Sequence, residues 1–163
     1  MREIEHSFAA GHERQGFRLV HYSLQGNHAH LVVEAQDRHA LGRGMMAVAA
    51  RLARAVNRAT NRSGRVLADR YHVRMLSTPR EVHRALRYVL LNARRHAGRL
   101  RAAKGSVRLD PASSARWFDG WRGEEARMEL SSVGAPAVAS ARTWLLTVGW
   151  RRYGLLDPAD VPG

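Results

Sequence analysis

Two histidines spaced by one residue, His28-Ala29-His30, run directly into the apolar stretch Leu31-Val32-Val33. In a strand, residues i and i+2 share a face, so the two imidazoles stand side by side while Ala29 turns to the core. A pair fixed in this way can supply two nitrogen ligands to one divalent cation. Nine histidines in 163 residues make one such pair weak evidence by itself. A second unusual feature adds to it: Tyr88 sits in the middle of a basic helical face, with Asn92 one turn further on. A helix laid over the histidine face could aim both side chains at the same ion. A metal beside a scissile phosphate polarises and orients it, and a tyrosine hydroxyl can then attack phosphorus to form a covalent phosphotyrosine. Histidine and amide-oxygen ligands suit magnesium or manganese better than a closed zinc site.

These groups need a hairpin and a helix to position them, and the sequence predicts both. Phe17 to Leu24 is rich in β-formers, Gln25-Gly26-Asn27 makes a tight connection, and His28 to Ala35 is the returning antiparallel strand. By simple alternation Phe17 and Tyr22 fall on opposite faces of the first strand. Residues 2–16 read as the end of a helix weakened by Gly11 and Gly16. Over residues 39–62, Leu41, Met45, Val48, Leu52, Val56 and Ala59 recur at helical spacing, and Asn61-Arg62-Ser63-Gly64 ends the helix. Arg51, Arg54, Arg58 and Arg62 form a basic ridge on another face, either a solvated surface or a phosphate track.

Tyr71 to Leu76 reads as a third strand. Ser77-Thr78-Pro79-Arg80-Glu81 then starts a helix sharply: Thr78 caps, Pro79 has no N–H to lose, and Glu81 closes the capping box. Val82, Leu86, Val89 and Ala93 make its apolar side, while Arg84, Tyr88, Asn92 and Arg95 share the polar one. Gly98 stops it. Residues 101–116 read as a polar linker, Trp117 to Trp121 as a cluster packing back on the domain, and 122–139 as loose. Ala141 to Tyr153 reads as a last short helix closed by Gly154.

The length suits one domain. With 27 basic against 14 acidic residues and arginine almost the only cation, the chain points to a polyanion, nucleic acid first, although a coding bias towards arginine and alanine fits the same texture. The lack of cysteine excludes disulfides and thiolate zinc sites. No segment reaches the length of a membrane span, and the first residues carry no apolar signal region, so a cytoplasmic protein without a membrane partner is expected. There is no P-loop, GxGxxG or Gly-x-Ser-x-Gly motif.

Three stretches resemble the HUH (His-hydrophobic-His) single-strand transposases, most of all the REP-associated tyrosine transposases. They are Gly26-Asn27-His28-Ala29-His30-Leu31-Val32-Val33, the strand entry Asp69-Arg70-Tyr71-His72, and Tyr88-Val89-Leu90-Leu91-Asn92-Ala93-Arg94. The resemblance implies a ferredoxin-like α+β catalytic domain over residues 1–100, followed by a linker and helical extension over 101–163. It also implies single-stranded DNA cut and rejoined near hairpins through a 5′-phosphotyrosine, with Mg2+ or Mn2+ as cofactor, and relatives of this kind are often homodimers. By position, His28 and His30 become metal ligands, Tyr88 the nucleophile and Asn92 the third ligand, with Tyr71 the rival nucleophile. Arg84 and Arg95 follow as phosphate contacts from their place on the helix face, not from the family. Ala93 stands where relatives often carry proline. The family's first, central strand has no counterpart, so a truncated domain with an unpaired sheet edge beside His30 is expected. Two other readings stand beside this one. One is a catalytically impaired protein that grips hairpins of single-stranded DNA or RNA. The other is an unrelated RNA-binding ferredoxin-like domain with exposed aromatics on its sheet.

Overall fold

The computed structural model describes residues 1–97, 109–123 and 134–160, with side chains through Asn92 in the first of these. A short helix, α1 (Arg2–Ala9), leads into a three-stranded antiparallel sheet of β1 (Glu13–Arg14), β2 (Phe17–Leu24) and β3 (Ala29–Ala35), in that spatial order. The expected hairpin is therefore present, with β2 central and β3 at an edge. Its register carries one irregularity: Leu19 pairs with Val33 and His21 with Val32, so Val20 is an extra residue on β2. The bulge reverses the alternation beyond it. Tyr22 thus joins Phe17 and Leu19 in one core instead of facing away from Phe17.

That core lies between one face of the sheet and two helices, α1 and α2 (Arg38–Ala59). Ile4, Phe8, Met45, Val48 and Leu52 fill it from the helices, and Leu31 and Val33 from β3. Asp37 caps α2, its Oδ1 accepting from the Ala40 N–H at 2.7 Å. Close packing requires a glycine here: a Cβ on Gly44 would lie 2.2 Å from the Phe17 ring. The helix ends at Thr60, followed by Asn61 in the left-handed region at φ 50°. Ala59, expected in the core stripe, is exposed beyond the end of the packed surface.

α3 (Pro79–Ala97) packs on β2 and β3 from the sheet's other side. Its capping box forms as read from sequence. The Glu81 N–H donates to Thr78 Oγ1 at 3.2 Å, and Glu81 Oε2 accepts from the Ser77 and Thr78 N–H groups at 3.0 and 3.1 Å. Val82, Leu86 and Leu90 bury into a second core with Phe118, Trp121, Trp150 and Leu156.

The stretch joining α2 to α3 departs from expectation. Tyr71–Leu76 forms no strand, and Val73 and Met75 are 60% and 84% exposed. A strand needs a neighbour for its N–H and C=O groups, and none of the described strands pairs with this one. In contrast, part of the expected linker is structural. The Leu24 N–H donates to the Ala112 carbonyl at 2.8 Å, Ser113 bridges to Ser23, and Ser113 to Ala115 are buried. Trp121 and Phe118 pack inward as expected. Of the stretch read as loose, Ala137 to Ala139 are buried, with the Ala139 N–H donating to the Leu19 carbonyl. The expected last helix is two pieces, α4 (Trp144–Thr147) and a 3-10 turn at Gly149–Tyr153, ended by Gly154 at φ 92°. Among the described residues, no helix is long and apolar enough to cross a membrane.

Candidate active site

Leu31 and Val33 point into the first core, so alternation turns His30, Val32 and Glu34 to the face that carries α3. His28 sits just before β3, and its ring lies against that of His30, centroids 4.7 Å apart and nearly perpendicular. The expected side-by-side pair is formed. His28 Nδ1 lies 2.7 Å from Asn27 Oδ1. An amide oxygen only accepts, so the proton belongs on Nδ1 and Nε2 keeps its lone pair for a ligand.

The second anomaly meets the first. Tyr88 Oη is 3.3 Å from His30 Nε2, and the two rings stand 4.8 Å apart. Residues 58 positions apart in sequence are joined because α3 lies across β3. Tyr88 is half-buried. Asn92, one turn along α3, is 1% exposed, and neither its amide oxygen nor its nitrogen has a hydrogen-bond partner among the described residues. Leaving a buried amide unsatisfied costs about 1–3 kcal/mol, so such a group calls for a ligand or a strain account. A buried, unpartnered amide one helical turn beyond the tyrosine that touches His30 is a candidate oxygen donor to a divalent cation with mixed nitrogen and oxygen ligands. No cluster of three or more His, Cys, Asp or Glu side chains exists among the described residues, so His28, His30 and Asn92 are the donor set that this fit rests on.

Tyr71 lies on the exposed connection, and no hydrogen bond or ring contact joins it to either histidine among the described residues. Arg84 is exposed one turn before Tyr88. The Arg95 side chain lies outside the described part. The arginine ridge of α2 stands across the sheet from the histidines, and half of it is engaged with α1. Arg51 Nη1 donates to the Ser7 carbonyl, and Arg58 pairs with Glu3 at 3.3 Å. Arg54 and Arg62 remain exposed.

Sequence reasoning missed two titratable groups on β2 and β3. Glu34 is buried at the far end of the histidine face. Burial alone would raise its pKa, but donors from the Thr143 hydroxyl and N–H, the Arg142 N–H and Arg18 outweigh it and hold the carboxyl below its usual range. The alternation of His30 with Glu34 was the available signal, but its partners Arg142 and Thr143 lie more than 100 positions away. His21 is buried, pushed down to about 4 by desolvation, with Nδ1 3.2 Å from Ser114 Oγ. Ser114 also bonds the Tyr22 backbone at 3.0 Å. A shielded pair tied to backbone in this way holds structure and meets no substrate. The sheet itself offers no exposed aromatic at Phe17 or Tyr22, which are both fully buried. No family model matches the sequence, and no curated protein or solved structure shows significant similarity to it.

Proposed function

We propose that the chain is a metal-dependent endonuclease and strand-transferase of the HUH transposase type, acting on single-stranded DNA near hairpins from a ferredoxin-like scaffold. The observation that carries this reading is the approach of Tyr88 Oη to His30 Nε2 at 3.3 Å, in a chain of formal net charge +13. A candidate nucleophile and a paired-imidazole site meet on one face of the sheet, in a chain whose overall charge favours a polyanion.

In this reading Tyr88 Oη attacks phosphorus. A P–Oη bond forms, the P–O3′ bond breaks, the phenol loses its proton and the departing 3′ oxygen gains one. The product is a 5′-phosphotyrosine and a free 3′-hydroxyl. One phosphodiester replaces another, so a 3′-hydroxyl attacking in the reverse sense rejoins the strand without an energy source. His28, His30 and Asn92 would hold Mg2+ or Mn2+, which when bound supplies Lewis-acid polarisation of the phosphate. The contact with His30 holds the phenol beside that donor set, and Asn27 keeps the His28 ring in the ligating tautomer. Arg84, exposed one turn before Tyr88, suits a non-bridging phosphate oxygen.

A binding-only role is the second reading. The observation favouring it is that β3, which carries His30, lies at the sheet's edge and is paired on one side only among the described strands. One assay separates the two. Labelled single-stranded DNA containing a hairpin is incubated with the protein and manganese, beside Tyr88→Phe, and run on a denaturing gel. An SDS-resistant protein–DNA adduct that vanishes in Tyr88→Phe is the expected result. An adduct that survives moves the role to Tyr71. A retained gel shift with no adduct leaves the binding-only role.

A further inference from the structure

A single strand cut at Tyr88 must be held on either side of the scissile phosphate, and the sheet offers no exposed ring at Phe17 or Tyr22 to stack its bases. Exposed rings do occur elsewhere on the same side of the molecule. Trp144 is 48% and Tyr153 52% exposed, although both stand on short elements whose neighbours are well packed. The Arg152 guanidinium lies over the Trp144 ring, 4.9 Å from its centroid, and Tyr153 stands 6.0 Å from the His83 ring on α3. Trp144 is seated against bare backbone: a Cβ on Gly149 would lie 2.7 Å from its ring. The ring is therefore positioned by packing, yet about half of its surface stays open.

The placement relative to Tyr88 follows from two tethers. Thr143, next to Trp144, donates both its N–H and its hydroxyl to Glu34 Oε1 at 2.7 Å. Glu34 lies four residues beyond His30 on the same face of β3, about 13 Å along the strand. His83 lies five residues before Tyr88, about 7.5 Å along the helix. These offsets belong to the anchors Glu34 and His83, and His83 lies on another face of α3 from Tyr88, so the rings flank the tyrosine instead of adjoining it. Among the described residues Arg151 is paired with Asp119, whereas Arg152 has no carboxylate partner and covers the Trp144 ring, so on binding it would leave that face to a base and turn to a phosphate.

We propose that Trp144, Arg152 and Tyr153 form a stacking platform for unpaired DNA bases flanking the Tyr88 site. The inference rests on the single-strand reading above and names the surface that grips the flank. Aromatic faces accept any base, and an adjoining guanidinium adds backbone attraction without reading sequence. The platform therefore supplies grip rather than specificity.

The test uses the whole chain and a fluorescein-labelled dT 20-mer, with binding followed by polarisation. Trp144→Ala and Tyr153→Ala should each weaken binding about tenfold, and Trp144→Phe should recover most of that loss. Circular dichroism should be unchanged, because both rings are half-exposed. Wild-type affinity in both alanine variants overturns the platform, and if the Tyr88 adduct still forms, the cleavage reading survives alone. Weakened binding in the variants with no adduct from the wild type keeps the platform and removes cleavage. A wild-type chain that does not bind the dT 20-mer at low salt overturns the platform as well.

Discussion

α3 and the connection that precedes it carry equally clear sequence signals, yet one became an element and the other did not. α3 begins with a capping box, presents apolar residues at helical spacing, and lies between the sheet and a second core. Tyr71–Leu76 alternates polar and apolar residues as a strand should, but it stays unpaired among the described strands and exposed from Tyr71 to Met75, with Leu76 alone packing on the second core. A helix closes its hydrogen bonds within its own segment, whereas a strand depends on a neighbour supplied from elsewhere. The contrast bears on function, because Tyr88 rides on the element that formed and the rival Tyr71 on the one that did not.

The largest expected effect separates the two regions directly. Leu86 is 1% exposed in the second core, so Leu86→Ala should cost about 2–5 kcal/mol in urea denaturation. Met75→Ala, at an open position, should stay within about 0.5 kcal/mol. A comparable loss at both positions would mean that the connection is packed in solution and would break the comparison.

His21, beneath Phe118 on the α3 side, sets a pH dependence. Its folded pKa of about 4 lies below the ordinary 6.5, so between these values the unfolded chain binds more protons. Stability should therefore rise with pH from about 4 to about 6.5 and be lost on acidification through that window. His21→Gln should flatten this slope in denaturation curves taken across it. An unchanged slope would show that His21 is solvated and that this side of the sheet is looser than its packing implies.

Asn92 sharpens the comparison from within α3, as a buried polar side chain with no partner among the described residues. Asn92→Leu should raise stability without metal by about 1–2 kcal/mol, because the orphaned amide is removed. The same change should abolish any rise in melting temperature on adding Mn2+. A destabilised variant would show that the amide is bonded in solution. The smallest effect belongs to the helix start, where Thr78→Ala should cost about 1 kcal/mol. No loss there would mean that packing alone, without the cap, defines where the connection ends and α3 begins.

Much of the candidate site was legible before any coordinates. The Phe17–Leu24 strand has the bounds read for it, the return strand begins one residue late, and α2 and α3 lie where periodicity and capping put them. The histidines share a face because strand alternation is a local property, and Tyr88 and Asn92 share a side because helical spacing is. Three outcomes needed the tertiary structure. The bulge at Val20, which buries Tyr22 beside Phe17, arises from register between strands. The joining of Ser113 and Ser114 to β2 depends on residues about 90 positions away. The meeting of Tyr88 with His30 depends on which face of the sheet α3 covers. Sequence alone determined what each short segment can do with its own hydrogen bonds and its own periodicity. Only the tertiary structure decided which segments found partners, because pairing and burial are properties of two surfaces and neither surface encodes the other.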